Sequence, residues 1–239
     1  MTDTLIIIPT YNEKENIEAF ISEVLRHAGG SDVLIVDDDS SDGTADIIDN
    51  IANGNNRVTV MHRMSGRGRG LAGIDAFKEA LKRREIEYVI EMDGDFSHDP
   101  AYIPVFLKEI KDADVVIGSR YVRGGKDRER SLIRIIMSKL VNLFIRKYMG
   151  FNIRDCSSGY RCFRREVLSS INWNNIISKE PSIIEEVLYE CKLKRYKIKE
   201  IPIVFKERRL GYTKLGFTKL TKVFIDIIKI KNSKHSISN

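Results

Sequence analysis

Five short apolar runs rich in β-branched residues, Thr4 to Ile8, Val33 to Val36, Val58 to Met61, Tyr88 to Met92 and Val115 to Ile117, punctuate the first half of this 239-residue chain. The gaps between them are long enough for a helix or a long turn, and several carry a helical period. Ile17, Phe20, Ile21, Val24 and Leu25 recur within Glu13 to Arg26, a second period runs from Ala72 to Leu81 behind a glycine-rich turn, and a third from Ile103 to Ile110 after Pro100. A strand, a crossover helix and a further strand return the chain parallel to itself, so the spacing predicts an α/β domain around a mostly parallel sheet. In open sheets of that kind ligands bind beyond the carboxyl ends of the strands, and the residues at those ends carry the functional question.

Three strand ends have unusual chemistry. The first run is followed by Pro9-Thr10-Tyr11-Asn12-Glu13, the second by Asp37-Asp38-Asp39-Ser40-Ser41-Asp42-Gly43, and the fourth by Asp93-Gly94-Asp95. Topology gathers all three at one edge, where up to five aspartates repel one another unless a cation or ligand hydroxyls offset the charge. Carboxylate oxygens are hard ligands suited to Mg or Mn, and Gly94 leaves room for a diphosphate to come close. Asp42 or Ser41 is expected to cap the helix that begins near Thr44, which leaves Asp38 for a ligand.

Several classes of function are excluded by pattern. Cys156, Cys162 and Cys191 form no CxxC pair, which argues against a disulfide framework or a zinc cluster and suits a reducing compartment. The run Leu5 to Ile8 lacks a basic flank and stops at Pro9, so it reads as a strand and not as a signal peptide. Arg134, Lys139, Arg146 and Lys147 interrupt the best candidate for a membrane span, and Asp226 and Lys229 interrupt the next. Gly68 to Gly73 matches GxGxxG, but after the third strand instead of the first, so a nicotinamide cofactor is not expected. The stretch reads as a tight turn into a helix, with Arg67 or Arg69 brushing a ligand as the alternative. The net charge of +6 suits nucleic acid, anionic lipid or a phosphorylated ligand. Nucleic-acid binding alone leaves the strand-end acids unexplained.

PTYNE, VDDDSSDGT, MDGDFSHDP, GSRY after the fifth strand, and DCSSGYRCFRREVL together resemble the family-2 glycosyltransferases of GT-A fold. Within them the similarity is to the dolichyl-phosphate mannosyltransferase-like group, over residues 5 to about 216. The resemblance implies a Rossmann-like nucleotide-diphospho-sugar transferase domain, 1–216, followed by a basic amphipathic helix and tail, 217–239. It implies that Pro9, Tyr11 and Glu13 wall the base and ribose, with Val36 and Asp38 completing the nucleotide pocket. Asp93, Gly94 and Asp95 correspond to the DxD element that meets the sugar nucleotide and a divalent metal, Mg or Mn. Ser97 stands where the family often has a metal-binding glutamine, and water is expected to take that position if the shorter hydroxyl does not. Arg120 would face the diphosphate or sugar, Arg208 and Lys214 would close on the phosphates, and Arg134 and Ser138 would receive the acceptor phosphate, with Arg130 nearby. His98, one residue off the family's HP element, reads as a turn residue.

The activity implied is inverting transfer of a hexose, mannose from GDP-mannose, onto a dolichyl or polyprenyl phosphate, with Asp95, Arg120 and Arg134 at the chemistry. UDP-glucose as donor, or another family-2 reaction, is the alternative. The expected location is the cytoplasmic face of a membrane, reached through a membrane surface or a separate membrane subunit. Two helices bear on that. Ser131 to Met149 carries a polar stripe, Arg134, Ser138 and Asn142, expected to turn toward the acceptor. Phe217 to Lys231 places Phe217, Leu220, Phe224, Ile227 and Ile228 on one face, suited either to packing on the domain or to a membrane interface.

Overall fold

The computed structural model describes residues 3–64, 66, 68–128, 131–179, 182–206 and 217–235. In chain order the elements are β1 (Thr4–Thr10), α1 (Ile17–His27), β2 (Asp32–Asp37), α2 (Thr44–Gly54), β3 (Val58–His62), α3 (Arg69–Lys82), β4 (Tyr88–Glu91), α4 (Ile103–Glu109) and β5 (Val115–Ser119). There follow β6 (Lys126–Asp127), α5 (Leu132–Met149), β7 (Arg161–Arg164), α6 (Arg165–Ser170), α7 (Ile183–Leu193), β8 (Ile198–Pro202), β9 (Val204–Phe205) and α8 (Phe217–His235).

Seven strands form one sheet in the order β3-β2-β1-β4-β7-β5-β8, and β6 pairs with β9 in a small second sheet. The pairings of β1 with β2 and β4, of β2 with β3, and of β5 with β8 are parallel. β7 lies antiparallel between β4 and β5. Residues alternate across the strands: Leu5 and Ile7 enter one apolar cluster with α3, α5, α6, α7 and α8, while Ile6 and Ile8 enter the other with α1, α2 and α4. Both faces are covered, which is why the first strand reads as a continuous apolar run. Beyond Ile7 that strand pairs with β2 alone, so Pro9 continues it without breaking a ladder on both sides.

The antiparallel β7 was not expected from sequence. Its residues, Arg-Cys-Phe-Arg, contain no β-branched side chain, and the first is an arginine that is 1% exposed. Arg161 satisfies its guanidinium on carbonyls: Nε donates to Ser158 at 2.7 Å, Nη1 to Ile184 at 2.5 Å and Nη2 to Cys156 at 2.9 Å. Burial lowers its pKa from the usual arginine value, and Glu91 and Glu185 nearby work the other way.

One expectation about the helices changes, and one open alternative is decided. On α5 the polar stripe divides: Asn142 is 4% exposed and turns inward with Ile145 and Met149. Its Oδ1 accepts from the Cys156 N–H at 3.0 Å and its Nδ2 donates to the Arg154 carbonyl, so it holds the loop before β7 and does not face an acceptor. α8 packs on the domain. Ile227 and Ile230 are fully buried against α5 and α7, whereas Ile228 is 42% exposed. Lys234 reaches Glu190 at 2.6 Å and donates to the Asn175 carbonyl at 3.0 Å, and Ser182 donates to Asp226 at 2.9 Å. The side chains of Phe217 and Leu220 lie outside the described residues.

Replacing Asn142 by leucine keeps the branched shape and the number of side-chain heavy atoms and leaves a buried N–H and a carbonyl without partners. At about 1–3 kcal/mol each, Asn142→Leu is expected to lower unfolding free energy by about 2–6 kcal/mol in urea denaturation. Stability equal to wild type would show that the loop is held by other contacts.

Candidate active site

The loops after β1 and β2 are sewn together at the sheet edge. The Asp38 N–H donates to the Thr10 carbonyl at 2.9 Å, the Asn12 N–H to Ser40 Oγ at 2.9 Å, and the Ser41 N–H to Asn12 Oδ1 at 2.9 Å. Glu13 N–H reaches Thr44 Oγ1 at 3.0 Å and Lys14 N–H reaches Asp42 Oδ2 at 3.1 Å. Asn12 and Asp39 take positive φ, 53° and 61°, a conformation their short polar side chains tolerate. The N-cap of α2 is Gly43, with φ of 97°, and not Asp42 or Ser41 as expected; Asp42, one residue earlier, accepts from the Thr44 N–H at 3.0 Å and from its hydroxyl at 2.5 Å. Burial pulls its carboxyl upward, and the bonds from Thr44 and Lys14 outweigh that and hold it below the usual range.

Asp38 is more engaged than the sequence suggested. One oxygen pairs with Arg63 and the other accepts from the Gly68 N–H at 2.7 Å; Arg63 also donates to Asp75 at 2.8 Å and to the Gly66 carbonyl at 3.0 Å. The glycine-rich turn before α3 is thereby fastened to the end of β2. Val36 is fully buried in the core, so its side chain is not exposed at the sheet edge. Pro9 and Tyr11 are half-buried at the edge, and Glu13, 8% exposed, accepts from Asn16 Nδ2 at 3.2 Å.

At the end of β4 the DGD turn is held from below. The Asp93 N–H donates to His98 Nδ1 at 2.9 Å, so His98 is a neutral imidazole with its proton on Nε2. Burial pushes its pKa down, and its ring stacks on Tyr160 at 5.0 Å between centroids. His98 is therefore a support of the turn. The Ser97 N–H donates to Asp95 Oδ1 at 3.0 Å, and Phe96 between them has φ of 65° and packs edge-on to Phe20. A Cβ on Gly94 would lie 3.2 Å from Ile8 Cγ2, so a larger residue there would have to push the Ile8 side chain of β1 aside by a few tenths of an ångström, and packing favours the glycine. Asp93 Oδ1 accepts from Arg69 Nε at 3.0 Å and Nη2 at 2.6 Å. Burial acts to raise the Asp93 carboxyl, and the guanidinium overcomes it and holds the group below the usual carboxylate range.

Among the described residues no three His, Cys, Asp or Glu side chains are grouped to hold a metal by themselves. What the DGD turn offers is hard carboxylate oxygen on one open side. That fits a divalent cation carried with a diphosphate, which fills most of the coordination sphere itself, and does not fit an all-protein cage. Of the metal ligands named from sequence, Asp95 lies in that turn, Asp93 is paired with Arg69, and Ser97 is 4% exposed.

Arg120, at the end of β5, is bound to Asp155. Nε and Nη2 meet the two carboxylate oxygens at 2.8 Å each, the Arg120 N–H adds a third bond at 3.0 Å, and Nη2 also reaches Ser157 Oγ at 2.9 Å. Burial would raise the Asp155 carboxyl, yet Arg120 and these bonds hold it well below its ordinary value. The rings of Tyr121 and Phe205 lie 5.0 and 5.4 Å from the guanidinium carbon. Tyr121 Oη in turn shares a hydrogen bond with Ser138 Oγ of α5 at 2.9 Å. Arg134, one turn earlier on that helix, is exposed. Arg130, Arg208 and Lys214 lie outside the described residues.

The residues that sequence reasoning missed are the partners of those it found: Arg63 for Asp38, Asp155 for Arg120, and Glu200, whose carboxylate accepts from the Arg154 and Asp155 N–H groups at 2.7 and 2.9 Å. Asp155 sat in a motif already singled out, and the mark available was its adjacency to Cys-Ser-Ser-Gly. Its partner 35 positions away left no local trace.

Comparison with known proteins bears on this geometry. The chain is 37% identical over 226 residues to a polyprenol monophosphomannose synthase of Mycolicibacterium smegmatis, covering 94% of this chain and 85% of that one. It is 38% identical over 212 residues to an undecaprenyl-phosphate mannosyltransferase of Micrococcus luteus, covering 89% and 87%. It is 34% identical to a dolichol-phosphate mannosyltransferase of Pyrococcus furiosus, of which it spans 58% of the length and which covers 88% of this chain. Among solved structures, glucosyl-3-phosphoglycerate synthase from Mycobacterium tuberculosis, crystallised with Mn2+, uridine diphosphate and its product, superposes with a TM-score of 0.68 at 18% identity, over 96% of this chain and 78% of that one. The same enzyme crystallised with Mg2+ and uridine diphosphate superposes with a TM-score of 0.67 at 17% identity, over 95% and 78%. The likeness shows a GT-A-like fold. The family model for glycosyl transferase family 2 matches residues 5–171, and the chain belongs to that family.

Proposed function

We propose that this glycosyltransferase moves mannose from GDP-mannose onto a polyprenyl phosphate, with inversion, at a membrane surface. The observation that carries this reading is the connection of the strand-end site to an apolar helix. Ser138 of α5 is hydrogen-bonded to Tyr121, next to Arg120, and on the same helix Leu132, Ile133, Ile136 and Leu140 are 76, 75, 56 and 55% exposed. Residues 132–149 contain four basic side chains, Arg134, Lys139, Arg146 and Lys147, and no acidic one. A lipid-linked phosphate needs both features at once, an apolar surface for the chain and cationic groups for the head. No helix among the described residues is long and apolar enough to cross a membrane, so a face of this kind is the available contact.

The chemistry needs little from a protein base. A phosphate monoester has a second pKa of about 6, so at neutral pH its oxygen is already anionic and can attack the anomeric carbon directly. Arg134 and Ser138 place that oxygen. Asp155 takes Nε and Nη2 of Arg120, and in this proposal Nη1 meets the departing diphosphate. Pro9, Tyr11 and Glu13 wall the nucleoside, and Asp38 holds the glycine-rich turn against it. A divalent cation, Mg2+ or Mn2+, bound through Asp95 with the diphosphate, supplies charge stabilisation of the leaving group. Arg208 and Lys214 add to it in this proposal.

Incubation with GDP-mannose, Mg2+ and a polyprenyl phosphate is expected to yield a mannosyl lipid phosphate. Preferential use of UDP-glucose under the same conditions would replace the donor assignment. Arg134→Ala is expected to raise the apparent KM for the lipid phosphate by about tenfold or more, since one charge-assisted contact to phosphate is lost, with donor binding by calorimetry unchanged. Equal damage to both would move Arg134 into the donor site.

A triple change of exposed side chains, Ile133, Ile136 and Leu140 to serine, is expected to weaken sedimentation with vesicles containing anionic lipid by about tenfold or more, each burial contributing about 1 kcal/mol. The same change leaves the core untouched, so its melting temperature serves as the control. Undiminished sedimentation would place the membrane contact elsewhere.

A further inference from the structure

Arg69 stands where three separate motifs meet. It is the first residue of α3, directly after the glycine-rich turn, and its guanidinium donates to Asp93 of the DGD turn through Nε and Nη2. Nη1 lies 3.6 Å from Glu91 Oε1 and, although buried, has no hydrogen-bond partner among the described residues. Glu91 is itself 4% exposed, and burial pushes its carboxyl upward against the pull of Arg69 and Arg161. Residue 159, in the Asp-Cys-Ser-Ser-Gly stretch, is a glycine against the guanidinium: a Cβ there would lie 2.7 Å from Arg69 Nη2, so a larger residue would displace the guanidinium from this place.

Resting on the transferase function above, we propose that Arg69 is the positioning residue of the DGD turn, holding Asp93 as its own partner so that Asp95 is the carboxylate of the pair that meets the divalent cation. Two carboxylates one residue apart would otherwise compete for a single ion, and each would present several geometries. The guanidinium removes one of them from that competition, and the His98 bond to the Asp93 N–H fixes the same residue from its backbone side. Asp95 is then offered in one orientation, with its Oδ1 steadied by the Ser97 N–H. Arg69 acts on the metal through Asp93 and the local charge, without touching it.

The test is Mn2+ binding, followed by electron paramagnetic resonance of the unbound ion, with and without GDP, in wild type, Arg69→Met, Arg69→Lys, Asp93→Asn, Asp95→Asn and the Arg69→Met/Asp93→Asn double variant. Loss of Asp95 is expected to weaken Mn2+ binding by about tenfold or more, and loss of Asp93 by about threefold or less. Arg69→Met removes a nearby positive charge and releases Asp93, so Mn2+ alone is expected to bind on the order of tenfold more tightly. The double variant is expected to lose most of that gain, and lysine to restore most of the wild-type value. Asp93→Asn weakening Mn2+ binding as much as Asp95→Asn, or an unchanged affinity in Arg69→Met, would overturn the role of Arg69 while leaving the transferase reading in place. Failure of wild type to bind Mn2+ even with GDP would overturn the metal assignment and this role together.

Discussion

Carboxylates crowded at the edge of a parallel sheet repel one another, and the way this protein meets that repulsion organises its site. Three acids around the strand ends are each matched by a guanidinium from elsewhere in the chain. Arg63 takes Asp38, Arg69 takes Asp93 and faces Glu91, and Arg120 takes Asp155. Arginine suits these positions because its planar fork satisfies two acceptor positions at once and stays charged when desolvated. Removing one member of such a pair leaves an uncompensated buried charge, which costs far more than the pair itself contributes. The arginines therefore fix geometry: every one of them also ties its loop to a second loop.

The fastening has a direction. Asp38 and Arg63 bind the glycine-rich turn to β2, Arg69 binds that turn's helix to β4, and Gly159 lies against that guanidinium, where a Cβ would displace it. From there Arg120 and Asp155 join β5 to the loop before β7, and Asn142 anchors the same loop to α5. The helix whose outer face is apolar and basic is in this way rigidly connected to the place where charge must be stabilised. The proposed reaction at a lipid surface would use such a connection, because a lipid-linked acceptor phosphate stays at its bilayer while a sugar nucleotide comes from water.

The antiparallel strand β7 follows from the same economy. It brings Arg161 to the centre of the sheet, where that side chain spends its donors on the carbonyls of Cys156, Ser158 and Ile184. An apolar residue would have packed as well, but it could not have held those carbonyls, and the loop carrying Asp155 to Gly159 would have lost its shape. Glu185, on α7, is buried in the same region, and burial raises its carboxyl to about 7 while Arg161 opposes the shift. Full burial of ionic groups beside a strand end is affordable here only because the surrounding backbone supplies nearly every hydrogen bond they need.

Sequence by itself determined the parallel strands, their crossover helices and the chemistry of the strand-end loops, since hydrophobic period and turn composition are local properties and survive without tertiary context. The acids of PTYNE, DDDSSD and DGD, the start of a helix near Thr44 and the helix from Ser131 to Met149 were all legible in that way. The tertiary structure alone decided which acids are already partnered. Asp38 with Arg63 spans 25 positions, Asp93 with Arg69 spans 24, and Arg120 with Asp155 spans 35, and no local pattern records which guanidinium will fold back onto which carboxylate. The same reason explains β7, Asn142 and Val36. Their residue types suit several environments, and only the packing of elements distant in the chain assigned Arg161 to a strand, Asn142 to a buried loop anchor and Val36 to the core.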